Sequence, residues 1–505
     1  MQPEFSADEI QAAARGFGLD PDPKELESMD GVVAELLADY EVLDRAPAEP
    51  AVPARPGGRP DNDQNPFFGW SWVGQVESAS NGPLAGVEVA IKDTVSLAGT
   101  PMLNGSAFLE GFVSEVDATI VTRLIEAGAT IRGKTAVPAF CFEGAGITGY
   151  PEPFPVNPRD PGRMPGASSS GSAVLVAAGV VDHAIGGDQG GSIRIPASWC
   201  GCVGHKPTFG LVPYTGVFPI EMTLDSVGPM GKDVTAVARL LEVLAGPDGL
   251  DPRQTGGERG YRLASLGDDP SGLKVGLLEE GFGIGDTPRP DVDEAVRAAA
   301  DGLTDLGIKL SEVSVPDHHD GVAIWNLICI QGATELFESA GLHSNRRGLY
   351  PVDIGRFMAG HRDRADLLPD TLKATLVAGR LVTDRYGLEP YARAQNQALG
   401  LRQAYDRALE EVDVLVMPTT PMTAPPLPDL SQAGETETIV EAIGLDSARN
   451  VAPFNVSGHP SISIPCGQDE QGLPIGLMVV GRWYEDATVL RVARAIEKIA
   501  EKRVS

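Results

Sequence analysis

The stretch from Gly86 to Arg132 narrows the choice of fold more than any other part of the chain. Gly86-Val87-Glu88-Val89-Ala90-Ile91-Lys92 has the apolar, β-branched character of a buried strand. Asp117 then stands as the expected cap of a helix whose apolar face is Ile120, Val121, Leu124 and Ile125, ended by Gly128. Ala129-Thr130-Ile131-Arg132 returns as a second strand. Strand, helix, strand requires parallel pairing and a right-handed crossover, which places the chain among α/β folds. The rhythm returns late, with strands expected at 412–417 and 475–480 and a helix starting at Asp486. A length of 505 residues allows about two to four domains or one large α/β unit with additions. The 60 glycines and 41 prolines suit many backbone-lined loops better than a helical bundle.

Two helix starts precede this body. Ser6-Ala7-Asp8-Glu9 is a capping box that leads into Ile10, Ala13, Ala14 and Phe17. Asp22-Pro23-Lys24-Glu25 is a second, with proline at the first helical position. Its helix carries Leu26, Met29, Val33, Leu36, Leu37, Tyr40 and Leu43, an apolar stripe of 3.6-residue period on an acidic background. Two short helices bury little alone, so this stripe is expected against the main body or a second copy of the chain, and a homodimer is the expectation. Residues 46–65 are rich in Pro, Gly and Asp and read as a linker. Residues 1–65 thus form a helical extension and 66–505 the main domain, in which 253–408 reads as a mostly helical covering region.

Charge excludes several roles. With 70 acidic against 40 basic residues the formal charge is −30, which repels phosphate backbones and anionic lipid surfaces. No run of Lys or Arg offsets it, so neither nucleic acid nor membrane is an expected partner. The opening Met1-Gln2-Pro3-Glu4-Phe5 has no leader pattern, and no run of about 20 apolar residues follows. A soluble cytoplasmic protein is therefore expected. Five cysteines without paired CxxC spacing read as reduced, buried thiols. His318-His319-Asp320 lacks HExxH spacing and reads as a solvated loop. No metal and no cofactor are expected.

The densest chemical signal lies between Pro165 and Pro213. Gly166-Ala167-Ser168-Ser169-Ser170-Gly171-Ser172 feeds directly into apolar residues 173–181, which a flexible linker would not do. Gly186-Gly187-Asp188-Gln189-Gly190-Gly191-Ser192-Ile193-Arg194-Ile195-Pro196 follows. Neither run contains the P-loop or dinucleotide pattern, and Ala167-Ser168-Ser169-Ser170-Gly171 lacks the first glycine of a nucleophile elbow. None of the seven histidines has the context of a Ser-His-Asp triad. What remains is a serine nucleophile without histidine, Ser192, at the start of a helix over 193–200. There the N–H groups of Gln189, Gly190, Gly191 and Ser192 form a candidate oxyanion hole.

Together, Ile91-Lys92-Asp93, the serine run at Ser168 and the stretch around Ser192 resemble the amidase signature family of serine hydrolases. The spacing agrees, with 24 residues from Ser168 to Ser192 and 76 from Lys92 to Ser168. Gly133-Lys134-Thr135, Gly204-His205-Lys206-Pro207-Thr208, Gly228-Pro229-Met230 and Gly458-His459-Pro460-Ser461-Ile462-Ser463-Ile464-Pro465 extend the resemblance over about residues 70–499. The phrasing of the serine loop, with the helical extension, is most similar to bacterial amidases encoded beside nitrile hydratases.

The resemblance implies an amidase signature fold, a large mixed sheet flanked by helices on both faces. It implies a Ser–cis-Ser–Lys triad of Ser192, Ser168 and Lys92, with a cis peptide at Ala167–Ser168 and support from Ser169. Asp188 and Arg194 would pair to hold the nucleophile loop. Phe140, Cys141 and Phe142 would line an acyl pocket suited to apolar or aryl groups, and Glu143 is an alternative contact for a polar substrate. Thr94, Ser170 and Ser226 depart from common family residues. The implied activity is hydrolysis of small-molecule carboxylic acid amides to the acid and ammonia or amine through an acyl-Ser192 intermediate. Readings that share the chemistry are the glutaminase component of a tRNA-dependent amidotransferase, against which the 1–65 extension argues, and a carbamate, aryl-acylamide or ester hydrolase.

Overall fold

Alternation along the strands determines which face each residue serves. The computed structural model describes residues 5–45, 52–78, 81–255, 261–285, 288–344, 346–429, 431 and 434–504. They divide into two compact units, Met1–Val52 and Pro53–Ser505. In the first, helices Ala7–Gly16 and Pro23–Leu37 carry the two expected capping boxes, with Ser6 and Asp22 accepting from the first turn and Glu9 and Glu25 reaching back. On the second helix Leu26, Met29, Val33 and Leu37 are half-buried, whereas Leu36 is 71% exposed and Leu43, beyond the helix end, 66% exposed. Residues 46–51 of the expected linker lie outside the described residues.

The described residues of the second unit form twelve strands. They are β1 (Gly57–Gly58), β2 (Trp70–Val76), β3 (Glu88–Lys92), β4 (Thr130–Thr135), β5 (His183–Asp188) and β6 (Val203–Lys206). The others are β7 (Ser226–Gly231), β8 (Lys274–Leu278), β9 (Lys309–Val313), β10 (Val414–Pro418), β11 (Ser461–Gln468) and β12 (Pro474–Gly481). They form one sheet in the order β1-β2-β4-β3-β5-β7-β6-β11-β12-β10-β8-β9. β3 runs parallel to β4 and β5, and β8 parallel to β9 and β10. The other pairs are antiparallel, so the sheet is mixed.

Period-2 alternation covers both faces. Val89, Ile91, Val414, Val416, Leu477 and Val479 join one core with helices Thr119–Glu126, Val234–Leu244, Pro290–Asp301 and Asp486–Val504. Their neighbours on the same strands point the other way. Ala90 and Ala184 meet helix Ser170–Ala177, while Leu415, Met417, Met478 and Val480 pack toward helices Gly321–Glu338 and Glu389–Glu411. The β3–helix–β4 crossover is present as read from the sequence.

Three local expectations are corrected. The crossover helix is capped at Ala118, not Asp117. Asp117 instead accepts from Ala98 N–H at 2.7 Å and pairs with Arg55 at 2.7 Å, fastening the loop before the helix. The 253–408 region is mostly helical but also supplies β8 and β9, which complete one edge of the sheet. His318 is no solvated loop residue. It is buried, 2.6 Å from Tyr405 Oη and 3.0 Å from Asn450 Oδ1, and burial pushes its pKa down to about 4. All five cysteines are buried. Among the described residues no helix is long and apolar enough to cross a membrane.

Helix Ser170–Ala177 enters the body through a very close approach. A Cβ at Gly171 would lie 2.4 Å from Gly69 O and 2.6 Å from Ala136 N and O, all of them backbone atoms that cannot rotate away. Gly171→Ala is therefore expected to lower stability by about 1–3 kcal/mol. Urea unfolding measures this, and parental stability would show that the turn can back away.

Candidate active site

Three segments converge at one end of β3 and β5. Lys92 is the last residue of β3, Ser168 lies two residues before helix Ser170–Ala177, and Ser192 sits in the loop between β5 and helix Arg194–Cys200. Lys92 is 2% and Ser168 1% exposed. Lys92 Nζ donates to Ser168 Oγ at 2.7 Å and to Gly187 O at 3.2 Å. Its neighbour Asp93 is turned away and pairs with the buried Lys134 at 2.8 Å, while also accepting from the N–H groups of Leu103 and Asn104. Lys92 is thus given a hydroxyl and a carbonyl rather than a carboxylate. Burial pushes its pKa down, only partly opposed by Cys141, Asp188 and Asp225.

The peptide Ala167–Ser168 is cis. The next residue, Ser169, works as a tie. Its Oγ donates to Gly187 O at 3.1 Å and accepts from Gly187 N–H, and its own N–H donates to Ser192 O at 3.0 Å. Ser170 donates to Gly166 O at 2.7 Å, tightening the same turn. Ser226, another departure from the family pattern, pairs in register with Asp188 across β5 and β7.

Asp188 is the fixed point of the nucleophile loop. Its two oxygens accept from the N–H groups of Gly191 at 2.9 Å and Ile193 at 3.1 Å. Arg194 grips them side-on, Nε to Oδ2 and Nη2 to Oδ1, both at 2.9 Å, with both side chains fully buried. Asn455 donates to Asp188 Oδ1 at 2.8 Å and accepts from Arg194 Nη2 at 2.6 Å. Burial alone would raise the carboxyl; Arg194 and Asn455 outweigh it and hold it well below the usual carboxylate range.

This geometry changes the expected oxyanion donors. The N–H groups of Gly191 and Ile193 are already given to Asp188, so the helix start is neutralised and Gly191 is not available. Gln189, Gly190 and Ser192 remain as candidate donors. Ser192 is the one member of the Lys92–Ser168–Ser192 group that is partly exposed, and it lines a cavity of about 290 Å³.

The cavity wall differs from expectation at one of three residues. Cys141 and Phe142 line it. Phe140 does not: it is fully buried in an aromatic cluster with Phe108 and Phe337, at centroid distances of 5.5 and 5.3 Å. Burial pushes the Cys141 thiol up, against the pull of nearby Lys92 and Ser168, so it is a neutral neighbour of the lysine. Glu143 borders the cavity with Oε1 tied to the N–H groups of Ile147 and Thr148, and burial raises it to about 7. Ile195, Ile220, Trp325, Ile330 and Leu445 complete a largely apolar lining. Trp325 and Ile330 come from helix Gly321–Glu338, a region in which the sequence offers no readable motif. Asn455 carries no local signal either, although it lies three residues before Gly458-His459-Pro460.

Comparison with known proteins assigns the class, a hydrolase acting on carbon–nitrogen bonds other than peptide bonds. The family described as Amidase matches residues 72–490, and the chain belongs to that family. It is 43% identical to an enantioselective amidase of Rhodococcus rhodochrous, over 92% of this chain and 89% of the relative. It is 37% identical to a component of the glutamyl-tRNA(Gln) amidotransferase of a Synechococcus species, over 83% of this chain and 84% of the relative. Among solved structures it is similar to the native peptide amidase of Stenotrophomonas maltophilia, with a TM-score of 0.65 and 30% identity, over 83% and 84% of the two chains.

Removing Arg194 would leave Asp188 buried with its main counter-charge gone. Arg194→Ala is expected to cost about 3–5 kcal/mol in urea unfolding. Because the folded Asp188 carboxyl is depressed, its contribution is complete above the unfolded value of about 3.9 and is lost as pH falls toward the folded one. The variant should therefore lose less stability on acidification below pH of about 4 than the parent does.

Proposed function

We propose that the chain hydrolyses carboxylic acid amides to the acid and ammonia or amine through an acyl-Ser192 intermediate. The observation that carries this reading is the 2.7 Å contact between a buried, carboxylate-free Lys92 and Ser168 Oγ, beside a cavity that Ser192 lines. Neutral Lys92 takes a proton from Ser168 as Ser168 takes one from Ser192, and Ser192 Oγ forms a bond to the amide carbonyl carbon. The carbonyl oxygen becomes an oxyanion facing the N–H groups of Gln189, Gly190 and Ser192. Collapse of the adduct breaks the carbon–nitrogen bond, and Ser168 hands its proton to the departing nitrogen while Lys92 restores it. Water then attacks the ester by the same route, releasing the acid and free Ser192.

The lining of Phe142, Ile195, Ile220, Trp325, Ile330 and Leu445 supports an apolar acyl group, aryl or branched aliphatic, of a size that about 290 Å³ can enclose. The exposed Leu36, Tyr40 and Leu43 support a homodimer formed through the N-terminal helices.

A fluorophosphonate probe is expected to label Ser192 in peptide mapping and to leave Ser192→Ala unlabelled; labelling elsewhere defeats the mechanism. Lys92→Met should lower kcat/KM by about 10²–10⁴-fold. In the parent, kcat/KM should climb with rising pH through the depressed titration of Lys92, because only the uncharged amine accepts a proton, and that limb should vanish in the variant. For the dimer, removal of residues 1–52 is expected to halve the mass measured by sedimentation, and an unchanged mass would rule these helices out as the interface.

A further inference from the structure

We infer that Trp325 is a positioning residue that sets the direction of an oxyanion-hole donor, the Gly190 N–H. This inference rests on the acyl-Ser192 reading above. Trp325 Nε1 donates to Gln189 O at 2.9 Å. The Gln189–Gly190 peptide is not among the cis bonds of the chain, and in a trans peptide the carbonyl and the following N–H point in opposite directions. Pinning Gln189 O to the indole therefore points the Gly190 N–H away from the indole, at the opposite edge of the peptide plane. If that peptide were free to rotate, the carbonyl could point at the reacting oxygen instead and would oppose the charge that develops there.

Two further contacts from the same helix reinforce the latch. Cys329, one helical turn beyond Trp325, accepts from Gln189 Nε2 at 3.3 Å, so backbone and side chain of Gln189 are both held from one helix face. The indole also lies flush on Gly190: a Cβ there would sit 2.5 Å from its Cζ2. Glycine at 190 thus permits the contact that fixes the Gln189–Gly190 peptide. The helix is itself anchored at its start, where a Cβ on Gly321 would lie 2.5 Å from Pro453 Cγ. His318, three residues earlier, is held between Tyr405 and Asn450.

The test removes the N–H while keeping the ring. Trp325→Phe and Trp325→3-benzothienylalanine, the latter an indole isostere without the donor, are compared with the parent in second-order labelling by a fluorophosphonate, whose addition to Ser192 also places negative charge on an oxygen. Loss of a whole oxyanion donor costs about 10²–10³-fold; an unlatched donor should cost less, about tenfold, in the maximal labelling rate. In the isostere, which keeps the cavity wall, the half-saturating probe concentration should stay as in the parent, whereas Trp325→Phe also trims that wall and should raise it. A merely structural role would lower the melting temperature without separating those two constants. Unchanged labelling in the isostere, with the parent labelled at Ser192, overturns the latch alone. A parent not labelled at Ser192 overturns the underlying mechanism instead.

Discussion

The allocation of one carboxylate decides what this site can be. Two lysines reach the same buried end of neighbouring strands, Lys92 on β3 and Lys134 on β4, and Asp93 follows the first of them directly in the chain. Asp93 goes to Lys134. That pairing satisfies one cation in the core and leaves the other facing a serine hydroxyl and a carbonyl, where burial favours the uncharged amine. Had the pairing been reversed, Lys92 would be a structural cation and Ser168 would have no base. The proposed chemistry therefore begins with a choice of ion-pair partner on an adjacent strand.

Much of this is legible in the chain. The β3–helix–β4 crossover follows from an apolar, β-branched run, a period-3.6 run and a second short strand, and the triad candidates follow from the family resemblance carried by Lys92 and the two serine-bearing loops. Local patterns fail where the partner lies far away. Asp117 looks like a helix cap because Asp commonly is one, yet Arg55 and the Ala98 N–H claim it from outside the helix. His318 looks exposed beside a histidine and two aspartates, but Tyr405 and Asn450, about 90 and 130 residues on, enclose it. Phe140 reads as a pocket residue along with its neighbours, although adjacent residues need not face the same way. Its backbone at φ 51° turns it into the aromatic cluster.

The helical region between β8 and β10 illustrates the same limit. No motif marks it, because a helix face that touches a loop carries its information in spacing alone, and Trp325 and Cys329 at i and i+4 resemble any half-buried pair. In the folded chain that face meets Gln189 and Gly190 and completes the cavity. The covering layer thus contributes part of the cavity wall as well as shielding for the sheet. In the proposed cycle the reacting groups come from β3 and the two serine loops, whereas selection among acyl groups draws on side chains that this layer delivers.

The uneven exposure of the three central residues has one further outcome. Lys92 and Ser168 are closed to bulk water, and Ser192 alone reaches the cavity. In the proposed cycle a proton that arrives on the amine finds no solvent to escape into. Its open way out is back along the hydroxyls, so the hydrogen gained by the leaving nitrogen is the one that the nucleophile surrendered. Each half-reaction then starts and finishes with the amine neutral, and the enzyme recycles its acid internally instead of drawing it from the medium.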